Sequence, residues 1–164
     1  MRPVAALVVT VIGVAVTALS ALIKPGLRLV YNASDSAPRG IYFVGEPVHL
    51  RVGDYVVARL PEVSAVLAAD RGYLPRSVPV LKQIAAVPGQ EVCVRDGAVY
   101  VDSYAVAKTL ERDGQHRELR SWRDCRPLLP RELFLLNPDS LASFDSRYIG
   151  PVDESFVIGR ATKW

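Results

Sequence analysis

The chain has 164 residues, which suits one ordinary domain and leaves little room for a second. Half of it is apolar, enough for a sizeable core, so disorder over its whole length is excluded. The formal net charge is +3, yet Arg2, Lys24 and Arg28 are the only charged side chains before Asp35. The other 17 basic residues meet 17 acidic ones, so the body is formally neutral and does not have the excess a nucleic-acid partner requires.

Residues 4–23 run without one charge, VAALVVTVIGVAVTALSALI. As a helix at 1.5 Å per residue this spans about 30 Å, the thickness of a bilayer's hydrocarbon core. Pro3 suits a first turn, and Lys24-Pro25-Gly26 ends the pattern. A cleaved secretory signal is the rival reading, with Ala18-Leu19-Ser20 as the small-residue site. The run is longer than the 7–15 residues typical of a signal's apolar region, so the uncleaved anchor is expected. Charge alone leans toward a cytoplasmic body, since Lys24 and Arg28 follow the run. The cysteines lean the other way: Cys93 and Cys125 permit one disulfide, which persists in an oxidising compartment. Two unpaired buried thiols are the other reading, and orientation stays open on these grounds.

Beyond the anchor, short β-rich runs alternate with Pro- and Gly-rich breaks. Strands are expected at 41–44, 55–58, 133–136 and 155–158. Residues 92–95 and 98–101 flank Asp96-Gly97, the strongest short-range signal for a two-residue hairpin. Residues 62–69 read as a helix ended by Arg71-Gly72. Residues 108–124, dense in charged and amide side chains, read as a solvated excursion. The body is expected to be mainly β with few short helices.

A serine hydroxyl needs a base to become a nucleophile. His49 and His116 are the only histidines, and neither stands in a recognisable catalytic context. A lysine can replace histidine if burial lowers its pKa toward neutrality. Lys82 lies inside the apolar window 78–89, where an unpaired charge is costly. An edge strand whose ammonium reaches water explains that window equally well. Ser36 lies in Asn32-Ala33-Ser34-Asp35-Ser36-Ala37-Pro38-Arg39-Gly40, a turn able to present it before a strand.

Taken in order, the anchor, Ser36-x-Pro38-x-Gly40, Lys82 ahead of Val87-Pro88-Gly89, and Ser143-Phe144-Asp145-Ser146-Arg147-Tyr148-Ile149-Gly150 resemble the type I signal peptidase superfamily. Within it the pattern is most similar to the conjugative-transfer peptidases of the TraF type, which mature pilin precursors. Arg71-Gly72-Tyr73-Leu74-Pro75 and the run from Phe144 to Tyr148 carry that narrower likeness. Two departures from housekeeping enzymes point to a specialised member. Only Ala37 separates Ser36 from Pro38, and Leu136-Asn137-Pro138-Asp139 replaces a Gly-Asp-Asn element.

The resemblance implies a mainly β, signal-peptidase-like domain at 31–164, with few short helices, behind one transmembrane helix within 1–30. It implies Ser36 as nucleophile and Lys82 as general base. The Ser34 hydroxyl and the Ser36 N–H would form the oxyanion hole, Ser143 would orient the lysine, and Asp145 with Arg147 would be a supporting ion pair. It implies no metal and no cofactor. The partners it implies are the membrane, a pilin precursor or other exported preprotein, and a conjugation or type IV secretion machinery. The catalytic domain would lie on the periplasmic side of a bacterial inner membrane, where a Cys93–Cys125 bond is sensible. Two alternatives are a general signal peptidase and a non-catalytic β module carrying an exposed, charged Lys82.

Overall fold

The computed structural model describes residues 2–22 and 29–164. Helix α1 (Arg2–Leu22) is 21 residues long and takes in the apolar run from position 4 to position 22. Its described large apolar side chains, from Val4 to Leu19, are exposed. Judged on the described residues, no helix is long and apolar enough to cross a membrane, so the expected transmembrane helix is not shown. The side chains at 2, 3, 6 and 20–22 lie outside that description, as do Lys24-Pro25-Gly26 and Arg28, on which the helix stop and the charge count rested.

The strands begin with β1 (Leu29–Asn32), β2 (Gly40–Gly45), β3 (Tyr55–Ala58) and β4 (Val80–Ala86), with helix α2 (Glu62–Asp70) between the last two. Next come β5 (Glu91–Arg95), β6 (Ala98–Val101), β7 (Tyr104–Lys108) and β8 (Cys125–Pro127). The chain closes with β9 (Glu132–Leu136), helix α3 (Ser146–Ile149), β10 (Val152–Asp153) and β11 (Val157–Lys163). A seven-stranded sheet has the order β1-β2-β11-β3-β4-β9-β10, and a four-stranded sheet the order β7-β6-β5-β8. The body is mainly β, as expected. The Asp96-Gly97 hairpin pairs Arg95 with Ala98, and both turn residues have positive φ, 50° and 75°, as a twisted two-residue turn requires.

Alternation of side chains fills both faces of the large sheet. Val56 and Ala58 on β3, Ile84 on β4, and Leu133 and Leu135 on β9 join Val152 and Val157 in one cluster. Val57 and Leu81 turn to another, with Tyr42, Val44 and Ala161. Phe134 and Leu136 pack against the small sheet, with Val92, Val94, Val99 and Val101. Gly159 lets β11 approach β2: a Cβ there would run into the Gly45 carbonyl and Val44.

Two sequence expectations need correction. Residues 155–158 are not one strand: a 3-10 turn at Glu154–Phe156, capped by Asp153 accepting from the Ser155 N–H at 2.8 Å, precedes the much longer β11. Residues 108–124 are not simply solvated. Asp113, only 5% exposed, accepts from Tyr73 Oη at 2.5 Å and Arg117 Nε at 2.7 Å, and from the Gln115 and Arg117 N–H groups at 2.9 Å. Burial pushes this carboxyl up, but those donors outweigh it and hold it well below the usual carboxylate range. Trp122 further on packs on Phe134, with ring centroids 5.6 Å apart.

Candidate active site

Lys82 sits on β4, which is an interior strand between β3 and β9. Period-two alternation puts it on the face of Val80 and Ile84, opposite Val56, all members or neighbours of one apolar cluster. The edge-strand reading therefore gives way, and the side chain is 5% exposed. Its ammonium donates to Ser143 Oγ at 2.6 Å. Burial lowers its pKa from 10.5 to about 8; Asp145 raises it and Arg147 lowers it, two opposed smaller effects. A substantial fraction of a lysine at that value is neutral at mildly alkaline pH.

Asp145 and Arg147 are both fully buried and joined by two bonds of 2.9 Å, Nε to Oδ1 and Nη2 to Oδ2. Asp145 also caps α3 by accepting from the Arg147 N–H, and it accepts from the Asn137 N–H at 3.2 Å. Arg147 donates onward to the carbonyls of Asn137, Ser140 and Lys108. This fully partnered pair ties the segment carrying Ser143 to the end of β9, and its two charges act on Lys82 in opposite directions. No direct Asp145 bond to Lys82 is present among the described contacts, in keeping with a supporting place for that carboxylate.

Ser36 lies in the turn joining β1 to β2, and its Oγ is 2.8 Å from Ser34 Oγ. Ser34 Oγ in turn donates to Asn32 Oδ1 at 2.8 Å. With that hydrogen committed, the Ser34–Ser36 bond is one that Ser36 donates. Asn32, buried, also accepts from the Ser34 N–H and donates to the Ala37 carbonyl at 2.8 Å, with further contacts to the carbonyls of Ser34 and Pro38. Tyr42 Oη closes the turn on the Pro38 carbonyl at 2.7 Å. Sequence reading overlooked Asn32; the available signal was an Asn at a strand end two residues before a Ser, a common side-chain-to-backbone turn.

Ser36, Ser34, Lys82 and Ser143 all line one cleft of about 760 Å³. Its remaining wall is largely apolar, from β1, α2 and residues 78–81. No hydrogen bond joins Ser36 to Lys82; each is held by its own neighbouring serine. The exposed lysine of a non-catalytic module is not what this site contains. His49 and His116 lie outside the cleft lining, both at positive φ. Cys93 and Cys125, paired across β5 and β8, form a disulfide. Their sulfurs and Glu91 come within 4.8 Å of one another, but the disulfide leaves no thiolate there for a metal.

Residues 1–164 match the family model described as signal peptidase, peptidase S26. The chain is 33% identical over 170 residues to the conjugal transfer protein TraF of Agrobacterium tumefaciens, covering 96% of this chain and 93% of that one. To the plasmid transfer protein TraF of Escherichia coli it is 29% identical over 137 residues, 77% of each. A solved signal peptidase I from Enterococcus faecalis is 18% identical, with a TM-score of 0.42, covering 73% of this chain and 99% of that one. No residue role follows from a likeness that distant.

Proposed function

The chain belongs to the signal peptidase family, peptidase S26, and we propose that it is a serine endopeptidase using Ser36 as nucleophile and Lys82 as general base. The observation that carries this reading is a buried lysine, lowered to about 8, bonded to Ser143 and sharing a cleft with Ser36. Neutral Lys82 takes the Ser36 proton as Oγ adds to the scissile carbonyl carbon. The carbonyl electrons move to its oxygen, which receives hydrogen bonds from the Ser36 N–H and the Ser34 hydroxyl once the latter turns from Asn32. Such donors lower the barrier by about 3 kcal/mol each. Collapse returns the oxygen's electrons, the peptide nitrogen departs with the proton from Lys82, and an acyl-enzyme remains on Ser36. Water activated by Lys82 resolves it; attack by the substrate's own amino terminus would instead give a cyclic product. Ser143 aims the lysine, and Asp145–Arg147 holds Ser143's segment.

The substrate in this reading is an exported precursor with small residues before the scissile bond, suited to the cleft's apolar walls. The names of the TraF relatives favour a role in conjugal transfer, and in this reading the precursor is a conjugative pilin and not a general pool of preproteins. The apolar run at 4–23 and the exposed apolar surface of α1 favour a membrane anchor, because a helix apolar all round must bury itself. The body would then act on the periplasmic side of the inner membrane, alongside the conjugation machinery. Cleavage of a conjugative pilin precursor and a panel of secreted preproteins tests all of this. Wild type should cut the pilin in preference, and Ser36→Ala and Lys82→Ala should not cut although folded. Cleavage by Lys82→Ala would remove the lysine from the mechanism.

A further inference from the structure

The 108–124 excursion, which the catalytic reading leaves without a role, encloses a second cavity of about 270 Å³. Tyr73, Ala142, Ser143 and Phe144 line both this cavity and the main cleft, so the two meet at the serine that holds Lys82. The far side comes from Leu110, Asp113, Arg117 and Leu119 of the excursion, with Leu141 from the segment before Ser143. Its volume lies just under the roughly 300–1,000 Å³ of sites for whole small-molecule ligands, and fits one large side chain.

Two features fix what that side chain can be. The walls are mainly apolar: the Phe144 ring lies 5.4 Å from that of Tyr73 and stacks on Tyr148 at 6.0 Å, and Leu110, Leu119 and Leu141 complete them. The polar part is positive. Arg71 and Arg117 both face the one carboxylate, Asp113, at 3.9 and 2.7 Å, which leaves one positive charge in the lining. A large apolar side chain gains by burial there, and a basic one is repelled. The pocket is also fixed in shape. Asp113 is held by four hydrogen bonds, Arg117 donates to the Arg71 carbonyl at 2.9 Å, and Tyr148 Oη accepts from the Leu110 N–H at 3.1 Å. The excursion is thereby fastened to the helix that follows Ser143, and little loop ordering is required when a side chain enters.

We propose that this pocket is an accessory specificity subsite, which takes one large apolar side chain, aliphatic or aromatic, of the peptide lying in the main cleft. The occupant follows from continuity: a peptide passing Ser143 in the main cleft has the pocket mouth beside it at Tyr73, Ala142 and Phe144. The inference rests on that cleft being the peptidase site. It adds a selection that small residues beside the scissile bond do not make, and assigns it to the excursion.

The test, on the full chain, takes a precursor cut by wild type and places Leu, Phe, Ser or Lys singly at each of the four positions on either side of the bond. At one position kcat/KM should be about tenfold higher for Leu or Phe than for Ser, as a buried apolar side chain supplies, and lowest for Lys. Leu141 lines this pocket and not the main cleft, and it is exposed, so Leu141→Asp should fold. That variant should level the Leu-to-Ser ratio at that position and, by cancelling the positive charge, relieve the discrimination against Lys. If no position shows a preference that Leu141→Asp removes, the proposal is overturned. A binding probe gives a readout independent of cleavage: N-acetyl-leucinamide and N-acetyl-serinamide are titrated into both proteins, followed by NMR shifts of the 110–119 and 141–148 amides. Leucinamide should shift them in wild type at concentrations where serinamide does not, and Leu141→Asp should abolish the difference. A wild type that cuts no precursor but shows this binding sinks the peptidase reading alone; one that neither cuts nor binds overturns this proposal too.

Discussion

Replacing Lys82 by methionine keeps an unbranched stem and removes the charge. Burial has lowered this lysine from 10.5 to about 8, with smaller opposed effects from Asp145 and Arg147. The folded-state value lies below the unfolded one, so the cost of holding the proton is fully present below pH 8. It fades as pH rises toward 10.5, where the unfolded chain also gives the proton up. At 1.36 kcal/mol per unit that cost is about 3 kcal/mol near pH 7 and roughly half as much near pH 9.5. Methionine leaves Ser143 Oγ without its donor, a loss of about 1 kcal/mol. Lys82→Met should therefore be more stable than wild type by about 2 kcal/mol near pH 7, and by almost nothing near pH 9.5. Urea unfolding of both proteins at the two pH values measures this, and titrations they share cancel in the difference. The variant should cut no precursor while being the more stable protein. If it is less stable at neutral pH, or the gap does not shrink as pH rises, the site does not penalise the ammonium and the account of Lys82 is wrong.

In wild type, kcat/KM for precursor cleavage should rise with pH through a value near 8, following neutral Lys82; a profile flat from pH 6 to 9 would contradict a lysine base. Asp145→Asn leaves Arg147 buried without its partner and should cost about 3–5 kcal/mol in urea unfolding. Where that variant still folds, the pH midpoint for cleavage should move down, since Asp145 raises Lys82. Gly159→Ala forces a methyl against the Gly45 carbonyl and should lower stability by about 2 kcal/mol, leaving the pH midpoint in place. Cys93→Ser with Cys125→Ser opens a link across 32 residues and should cost about 4 kcal/mol in the chain-entropy model, read by thermal unfolding with and without reductant.

Much of this molecule is written locally. The Asp96-Gly97 hairpin, the strands around Ile41, Tyr55 and Leu133, and the α2 helix follow from turn chemistry and alternation acting over a few residues. The apolar run before residue 24 follows likewise from composition. The order of Ser36, Lys82 and Ser143 along the chain was enough to show the resemblance and nominate their roles. Other features depend on contacts between distant residues. The 78–89 window reads equally as an edge strand or a buried one, and only the pairing of β4 with β3 and β9 encloses Lys82 and lowers its pKa. The charges at 108–124 look solvated until Tyr73, from 40 residues away, meets Asp113. Asn32 and Asn137 are unremarkable letters whose work is set by which carbonyls and hydroxyls the fold brings within reach. Local propensity is a sum over neighbours in sequence, whereas desolvation and hydrogen-bond partnership are properties of neighbours in space. The residue types of the candidate site are therefore sequence information, while the electrostatic state of Lys82 belongs to the tertiary structure alone.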